Sequence, residues 1–202
     1  MKNLWHDPAK ILNREAAQTL LLPYMEDYFL PAIKAGLNVF CEIAPAIRTM
    51  LSKRTLAGYL NDAIVYDATA RFSDEQGVVI NEDHGFTAFV FDERAAVRIK
   101  KVNQQHRYRN YPTDQQVNLL YQKRLEGMEA ATHVILGYRL DDIWRDIRET
   151  SLSCWYANSR RWEIPVGGDM TGYLFDADGN ATTTVQKPVV RPRQAAKENA
   201  SG

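Results

Sequence analysis

Residues 77–99 read GVVINEDHGFTAFVFDERAAVRI, and this segment sets the fold class that the sequence predicts. Its short runs rich in β-branched and aromatic residues are 77–80, 86–91 and 95–99. Between these runs lie Asn81-Glu82-Asp83-His84-Gly85 and Asp92-Glu93-Arg94, whose composition is typical of turns. Connections this short join antiparallel strands, so we predict a three-stranded meander.

The chain before the meander has the pattern of helices, and we predict a helical layer over residues 1–71. Asn13 is placed to cap a helix that runs through Leu22. Pro23 and Pro31 suit the first turn of a helix and disrupt a helix interior, so we expect short helices that break near them. Gly36 is predicted to end this series.

A further helix is predicted from Pro45 to about Arg71. Leu56, Leu60 and Ile64 recur every four residues and therefore form one apolar face of that helix. We expect this face to pack the helical layer against the sheet.

Downstream of the meander, helical and strand patterns alternate. We predict a helix over 112–125, a strand over 132–140, a short helix after Asp141-Asp142 that carries Ile143, Trp144 and Ile147, and a hairpin of 151–156 and 161–166. The sequence therefore predicts an α+β protein: N-terminal helices packed on a mainly antiparallel sheet of five or six strands, with one or two inserted helices.

The order of these elements predicts a single domain over residues 1–170, in which the sheet and its inserted helices occupy 73–166. Residues 171–186 have the pattern of one extra hairpin. Residues 187–202 are rich in Pro, Arg and Ala and have almost no large apolar side chain, so we predict a flexible tail there.

The composition narrows the class of protein. The 202 residues include 25 Lys and Arg, 25 Asp and Glu, and 45% hydrophobic residues, which excludes a wholly disordered chain, a collagen-like repeat and a strongly basic histone-like protein. No apolar run approaches the roughly 18 residues that a membrane helix needs, and the N-terminus does not have the pattern of a signal peptide. We therefore expect a cytoplasmic protein without membrane contact.

Neither the cysteines nor the histidines are spaced as metal ligands. Cys41 and Cys154 stand far apart without a Cys/His cluster, so we expect two reduced thiols. The four histidines do not pair with one another or with a cysteine at ligand spacing. Glycine-rich phosphate loops and nucleophile elbows are missing from the sequence as well. We expect no metal and no cofactor.

The charges are divided unevenly although they sum to zero. Residues 73–93 contain six acids and no Lys or Arg, whereas residues 94–113 contain six bases and no acid. One interpretation is pairing between neighbouring antiparallel strands, which contributes roughly 0.2–1 kcal/mol per pair. The other is contact with a polyanion, because Lys and Arg neutralise phosphates and nearby tyrosines can stack on unpaired bases.

The second interpretation predicts a nucleic-acid-binding segment. Its candidate residues are Arg98, Lys100, Lys101, Arg107, Tyr108 and Arg109. The hypothesis requires that the cationic segment faces outward, free of the carboxylates that precede it.

A second hypothesis is a metal-dependent nuclease that uses Asp62, Asp67 and Lys100. Phosphodiester cleavage of this kind needs clustered carboxylates for Mg²⁺ and a lysine near the scissile phosphate. A restriction-type core would have an acid two residues before the lysine. Arg98 and Ile99 occupy those positions here, so the strict pattern is missing.

A third hypothesis is an antitoxin-like protein that neutralises a partner. Trp155, Tyr156 and Trp162 cluster late in the chain. Packing in the core is the ordinary role of such side chains. Tryptophan and tyrosine also dominate the energetics of protein interfaces, so these three are candidate partner-binding residues.

Several segments in the middle of the chain form a series with a characteristic order and spacing. They are Arg54 with Asp62-Ala63-Ile64-Val65 and Arg71-Phe72, then Val97-Arg98-Ile99-Lys100-Lys101, then 110–116 and 131–141. Over about residues 45–166 this series resembles a group of uncharacterised bacterial proteins associated with phage and other mobile elements. The resemblance brings no assigned activity, so it gives no residue a catalytic role. It leads us to expect a non-catalytic accessory or regulatory protein that acts by protein–protein contact and, through the basic loop, on nucleic acid.

Overall fold

The computed structural model describes residues 11–43, 49–83, 86–108, 114–123, 125, 131–157, 159–167, 173–175 and 181–183. The chain divides into two compact units, Met1–Gly168 and Asp169–Gly202. The predicted tail, residues 187–202, lies outside the described residues.

The N-terminal layer of the first unit contains α1 (Arg14–Leu21), α2 (Leu30–Glu42) and α3 (Lys53–Phe72). The predicted cap at Asn13 is confirmed, because its side-chain oxygen accepts a hydrogen bond from the Ala16 N–H at 2.8 Å. Ser52 caps α3 in the same way, and such caps are worth about 1 kcal/mol each. None of the helices formed by the described residues is long and apolar enough to cross a membrane.

The two prolines of this layer lie near element boundaries, as predicted. α1 ends at Leu21, before Pro23, and α2 begins at Leu30, so Pro31 lies in its first turn. Met25–Phe29 forms a π-helical turn in which the Leu30 N–H donates to the Met25 carbonyl, and this turn leads directly into α2. A proline ring in a regular α-helix collides with the carbonyl four residues earlier, and the wider π turn displaces that carbonyl.

Gly36 lies inside α2, so the prediction that it ends the helical series is wrong. It sits where α2 crosses α3, and a Cβ atom at this position would lie 2.5 Å from Ile64 Cγ1 and 2.8 Å from Ile64 Cα. Leu56, Leu60 and Ile64 are buried, as their four-residue periodicity predicts. Gly36 is therefore a packing residue that lets two helices approach closely.

A six-stranded sheet follows the helices, with its strands in chain order, and confirms the predicted α+β class. The predicted meander forms β1 to β3, and all neighbouring strands are antiparallel except β3 and β4, which are parallel. The strands are β1 (Val78–Asp83), β2 (Phe86–Phe91), β3 (Ala95–Lys101), β4 (Thr132–Leu140), β5 (Ile147–Tyr156) and β6 (Ser159–Val166).

The parallel pairing of β3 and β4 requires a crossover connection. This connection contains α4 (Asp114–Leu120), which is shorter than the helix predicted over 112–125. Gln122 has a φ of 51°, in the left-handed region, so the helix cannot continue through it.

The short helix predicted after Asp141 is wrong, because the structure has a turn there. Asp141 Oδ1 accepts the Arg145 N–H at 2.7 Å. Trp144 has a φ of 58°, which is incompatible with a right-handed helix. Ile147, predicted to belong to this helix, begins β5 instead.

Both faces of the sheet carry buried apolar side chains. On the face that carries the helices, the ring centroids of Phe29 and Phe72 lie 5.3 and 5.1 Å from that of Phe89 and 4.8 Å from each other. The opposite face has a smaller buried cluster of Phe86, Ala88, Val90, Ala96 and Ala131, against which Leu125 packs. The described part of the crossover connection thus packs on the face opposite the helices through Leu125.

The second unit contains a short two-stranded sheet. β7 (Tyr173–Phe175) pairs antiparallel with β8 (Ala181–Thr183). The two strands lie in the segment for which the sequence predicts an extra hairpin.

Candidate functional site

The basic segment that follows the meander does not form one exposed surface. Arg98 has only 4% of its surface exposed, and its guanidinium lies 4.4 Å from the centroid of the Phe86 ring. Lys101 Nζ lies 4.2 Å from the centroid of the Trp144 ring. Arg107 is exposed, whereas Arg109 lies outside the described residues. Arg98 thus does not meet the requirement of the nucleic-acid hypothesis that this segment faces outward.

The charge of Arg98 is buried without a described counter-ion. No described carboxylate forms an ion pair with it, and its Nε has no hydrogen-bond partner. Burial lowers the pKa of Arg98 to about 10, so the group stays charged at neutral pH. Desolvation of a buried ion costs several kcal/mol, and a desolvated cation–π contact such as that with Phe86 returns about 2 kcal/mol.

A small cavity lies beside this guanidinium. Its volume is about 10 Å³, and Arg98, Tyr108, Gln122, His133 and Trp155 are among the residues that line it. Burial raises the pKa of Tyr108, although the charge of Arg98 opposes the rise. The residues that line the cavity therefore include a charged arginine, Arg98, and a tyrosine with a protonated hydroxyl group, Tyr108.

Gln122 closes one side of this cavity by joining β4 to β5. Its side-chain N–H groups donate to the His133 carbonyl at 2.9 Å and to the Trp155 carbonyl at 3.0 Å. Its side-chain oxygen accepts the His133 N–H at 2.7 Å. The amide thus takes the place of backbone pairing at the end of the two strands.

The three candidate catalytic residues are not gathered into a metal site by the described residues. The Asp67 carboxylate forms an ion pair with Arg71 on the same helix. Burial and the charge of Arg98 lower the pKa of Lys100 to about 8, and the negative charge of Asp62 opposes that change. Within the described parts of the chain, no group of three His, Cys, Asp or Glu side chains is arranged to hold a metal ion.

A polar cluster that sequence reasoning missed lies where loop 103–108 crosses β4. Gly137 leaves room for Val102, the residue just before this loop, since a Cβ atom there would lie 2.8 Å from Val102 Cγ1. Asn103 shapes the loop, because its Oδ1 accepts the Gln105 N–H at 3.0 Å and the Arg107 N–H at 2.9 Å. The loop thereby delivers the side chain of His106 to strands β5 and β6.

His106 sits between carboxylates from two strands. Its Nδ1 lies 2.5 Å from Glu163 Oε1, and its Nε2 lies 3.1 Å from Glu149 Oε1. The hydrogen bond with Glu163 raises the pKa of His106, against the effect of burial. Arg139 lies 2.5 Å from Glu149, and Arg160 contacts the other oxygen of Glu163.

When it is protonated, His106 forms ion pairs with both carboxylates, and we call this arrangement of His106, Glu149 and Glu163 the clamp. A serine nucleophile needs a histidine nitrogen that accepts its proton. Ser151 Oγ instead donates to Glu163 at 2.9 Å, and both ring nitrogens of His106 face carboxylates. The cluster therefore fastens loop 103–108 to the sheet by charge.

No local pattern in the sequence could have revealed this cluster. Its members come from a loop, from β4 and from the hairpin of β5 and β6. Arg139 and Glu149 are opposite each other across β4 and β5, so the register of those strands would have predicted that one pair.

The outer end of this cluster carries exposed cations beside aromatic rings. Arg160 lies 5.9 Å from the ring centroid of Trp155, and Arg161 lies 6.0 Å from that of Tyr156. Arg107 is exposed next to His106. We call Arg107, Arg139, Arg160 and Arg161 the arginine surface. Glu149 and Glu163 offset two of its four charges.

The late aromatic residues are mostly within the fold. Trp155 and Trp162 have 9% of their surface exposed, and the Trp162 indole N–H donates to the Leu12 carbonyl at 2.7 Å. Tyr156 is half-buried and contacts Tyr121 edge-on at 6.4 Å. Tyr156 is thus the most accessible of the three candidate partner-binding residues.

The fold and this cluster define an α+β protein with a charged, arginine-rich surface on one sheet face. Comparison of the chain with protein-family models, with curated proteins and with solved structures finds no match.

Proposed function

We propose that this protein is a non-catalytic accessory or regulatory protein of a phage or another mobile element that binds nucleic acid through the arginine surface. The observation that supports this most is that Arg160 and Arg161, on the hairpin of β5 and β6, lie beside the rings of Trp155 and Tyr156. Arg107, Arg160 and Arg161 are all exposed.

This combination of side chains suits a phosphate backbone with accessible bases. Guanidinium groups bind phosphate oxygens in a bidentate manner. Rings beside them offer stacking surfaces, and stacking is worth about 1–3 kcal/mol per base. Tyr156 is the ring here that keeps part of its surface accessible.

Glu149 and Glu163 limit the strength of such binding. Each is paired with an arginine, and each also contacts His106. When the imidazole is protonated, its charge adds to those of the arginines. We therefore expect weak binding that becomes stronger at acidic pH.

The test is a salt titration of binding to labelled single-stranded and duplex DNA, measured by fluorescence anisotropy. The affinity of the wild-type protein should fall steeply as salt rises from about 50 to 200 mM. The double variant Arg160→Ala/Arg161→Ala should bind more weakly, with a salt slope smaller by about 2.

The matched control is Arg145→Ala/Arg148→Ala, which removes two exposed arginines outside the arginine surface. It should bind like the wild type. Equal losses in both double variants, or wild-type binding that does not depend on salt, would refute the proposal. Cleavage of the DNA with Mg²⁺ that Asp62→Ala abolishes would favour the nuclease hypothesis. Co-purification with a gene neighbour's product and no effect of nucleic acid would favour the partner-neutralising hypothesis.

A further inference from the structure

Strand β1 is one edge of the six-stranded sheet, and the described residues place no further strand beside it. The Asp92 N–H donates to the Gly77 carbonyl at the start of β1. Along an antiparallel edge strand, residues that bond to the neighbouring strand alternate with residues whose backbone groups point outward. The outward-pointing residues of β1 are therefore Val78, Ile80 and Glu82.

The two edges of the sheet differ in how they are protected against pairing with another strand. β6 contains Pro165, and a bulge at Cys154 and Trp155 interrupts its pairing with β5. β1 contains no proline or lysine, and it pairs with β2 over its whole length without a register shift. Prolines, lysines and bulges are common devices that prevent pairing at a sheet edge. β1 is therefore the open edge of this sheet.

Acidic side chains flank β1 at both ends. Glu82 is exposed near its C-terminal end. Asp92 and Glu93 are exposed in the turn that bonds to its N-terminal end. Residues 73–93 contain six acids and no Lys or Arg, and Arg94 is the first base after them. The open edge therefore has negative charge at each end.

These charges decide which kind of strand the edge accepts. A second copy of this chain would bring acids against acids in either orientation, because both ends of β1 are acidic, and like charges across neighbouring strands are destabilising. An extended segment with Lys or Arg at both ends would pair its charges with these acids instead. An apolar side chain between its basic ends would cover Val79, which is 62% exposed.

We propose that β1 is the docking site for an extended basic segment of a partner protein, which adds to the sheet as a seventh strand. Strand addition takes its affinity from main-chain hydrogen bonds and its specificity from side chains at alternate positions. The site uses none of the arginine surface, so it stands or falls independently of nucleic-acid binding.

The first test is the binding of a synthetic peptide to the full chain, measured by fluorescence anisotropy. The probe has alternating Thr and Val residues with two Lys residues at each end, and a second peptide has Glu in place of every Lys. The Lys peptide should bind with an affinity that falls as salt rises, and the Glu peptide should not bind. Equal binding of the two peptides, or no binding of the Lys peptide, would overturn the proposal.

Amide hydrogen exchange with and without the Lys peptide tests the mode of binding. The amide protons of Val78, Ile80 and Glu82 should become protected, whereas those of Val79 and Asn81, which face β2, should change little. Protection without this alternation would show that the peptide binds by charge alone. Protection of the same three amides in concentrated protein without peptide would show that a second copy covers β1. Either result contradicts the proposal.

Two substitutions at one position separate the effect of the backbone from that of the charge. Glu82→Pro removes an outward N–H at an exposed edge position, where proline is tolerated, and should weaken binding of the Lys peptide at least about fivefold. Glu82→Gln keeps that N–H and should weaken binding about twofold. The control Asp142→Asn removes an exposed acid from the turn between β4 and β5 and should bind like the wild type. Equal losses in Glu82→Pro and Glu82→Gln would count against strand addition.

Discussion

The imidazole of His106 joins two strands to a loop through charge, and its role depends on its protonation. Glu163 and Glu149 contact its two nitrogens. The hydrogen bond from Arg139 lowers the pKa of Glu149. Burial acts to raise the pKa of Glu163, but the hydrogen bond and charge of His106 outweigh it, so this pKa is lowered as well. The cluster is therefore built from groups that stabilise one another's charged forms.

These shifts predict the pH range in which the clamp stabilises the fold. The pKa of His106 is raised above 6.5, so its contribution is complete below pH 6.5 and is lost as pH rises through the folded-state value. The pKa values of Glu149 and Glu163 are lowered below 4.5, so their contributions are complete above pH 4.5 and are lost on acidification. The clamp is thus strongest between about pH 4.5 and 6.5.

We expect His106→Asn to reduce the free energy of unfolding by about 1–2 kcal/mol at pH 6, measured by urea denaturation. Asparagine tolerates the φ of 56° at this position, so the variant isolates the loss of the charge. The difference from the wild type should narrow as the pH rises through the folded-state pKa of His106, because the imidazole then loses its charge. A difference that does not change with pH would show that the ring acts by packing alone.

At the scale of elements, α2 and α3 pack closely because Gly36 has no side chain at their crossing. Gly36 faces the backbone of Ile64. An added methyl group would meet backbone atoms, which cannot rotate away, so the helices would have to separate. Helix propensity favours alanine over glycine, and the packing penalty opposes it.

We expect Gly36→Ala to destabilise the protein by about 1–3 kcal/mol in thermal or urea unfolding, because overpacking outweighs the gain in helix propensity. Gly58 in α3 is the matched control, since nothing lies within 4 Å of a Cβ atom at that position. Gly58→Ala should stabilise the protein by up to about 1 kcal/mol. Equal effects of the two substitutions would contradict the close crossing of the helices.

Elements that follow from hydrophobic periodicity could be predicted, and elements that depend on a single side-chain contact could not. The meander and the apolar face of α3 follow from runs of residues that share one local pattern. Gly36 looks like a helix terminator in sequence, because its tertiary contact with Ile64 has no local signature. Asp141 resembles a helix cap for a similar reason, since the same carboxylate also caps a tight turn.

At the scale of the whole molecule, the described residues of the first unit form three layers, which are the helices, the sheet and the described part of the crossover connection. Strand β4 lies near the middle of this arrangement and is buried along nearly its whole length. Strand β1 is at the edge of the sheet, and Val79 within it is 62% exposed. Stability should therefore be distributed unevenly across the sheet.

We expect amide hydrogen exchange to report this gradient. Amide protons in the centre of β4 should exchange only through global unfolding, because layers cover both of its faces. The outward-facing amide protons of β1 should exchange by local fraying, at least about a hundredfold faster. Equal protection of the two strands would indicate that β1 is covered in solution, for example by another chain.

The layered arrangement also explains why the candidate sites were only partly predictable. The sequence indicates that bases are concentrated over residues 94–113, but strand alternation and the crossover layer determine which of them reach solvent. Arg98 is buried and Arg107 is exposed although both belong to this segment. The His106 cluster needed the register of three strands as well as the path of a loop.

The amide of Gln122 has a consequence for how this sequence can vary. Its side chain forms hydrogen bonds with the main chain of His133 on β4 and of Trp155 on β5 at the same time, which specifies how the two strands are aligned. Sliding either strand by one residue would turn its inward side chains outward. The three hydrogen bonds of the amide can therefore form together only in the native alignment of the two strands. A substitution of Gln122 would remove these hydrogen bonds while leaving the hydrophobic pattern of every strand intact, so this one amide, and not that pattern, distinguishes the native alignment from a shifted one at this end of the strands.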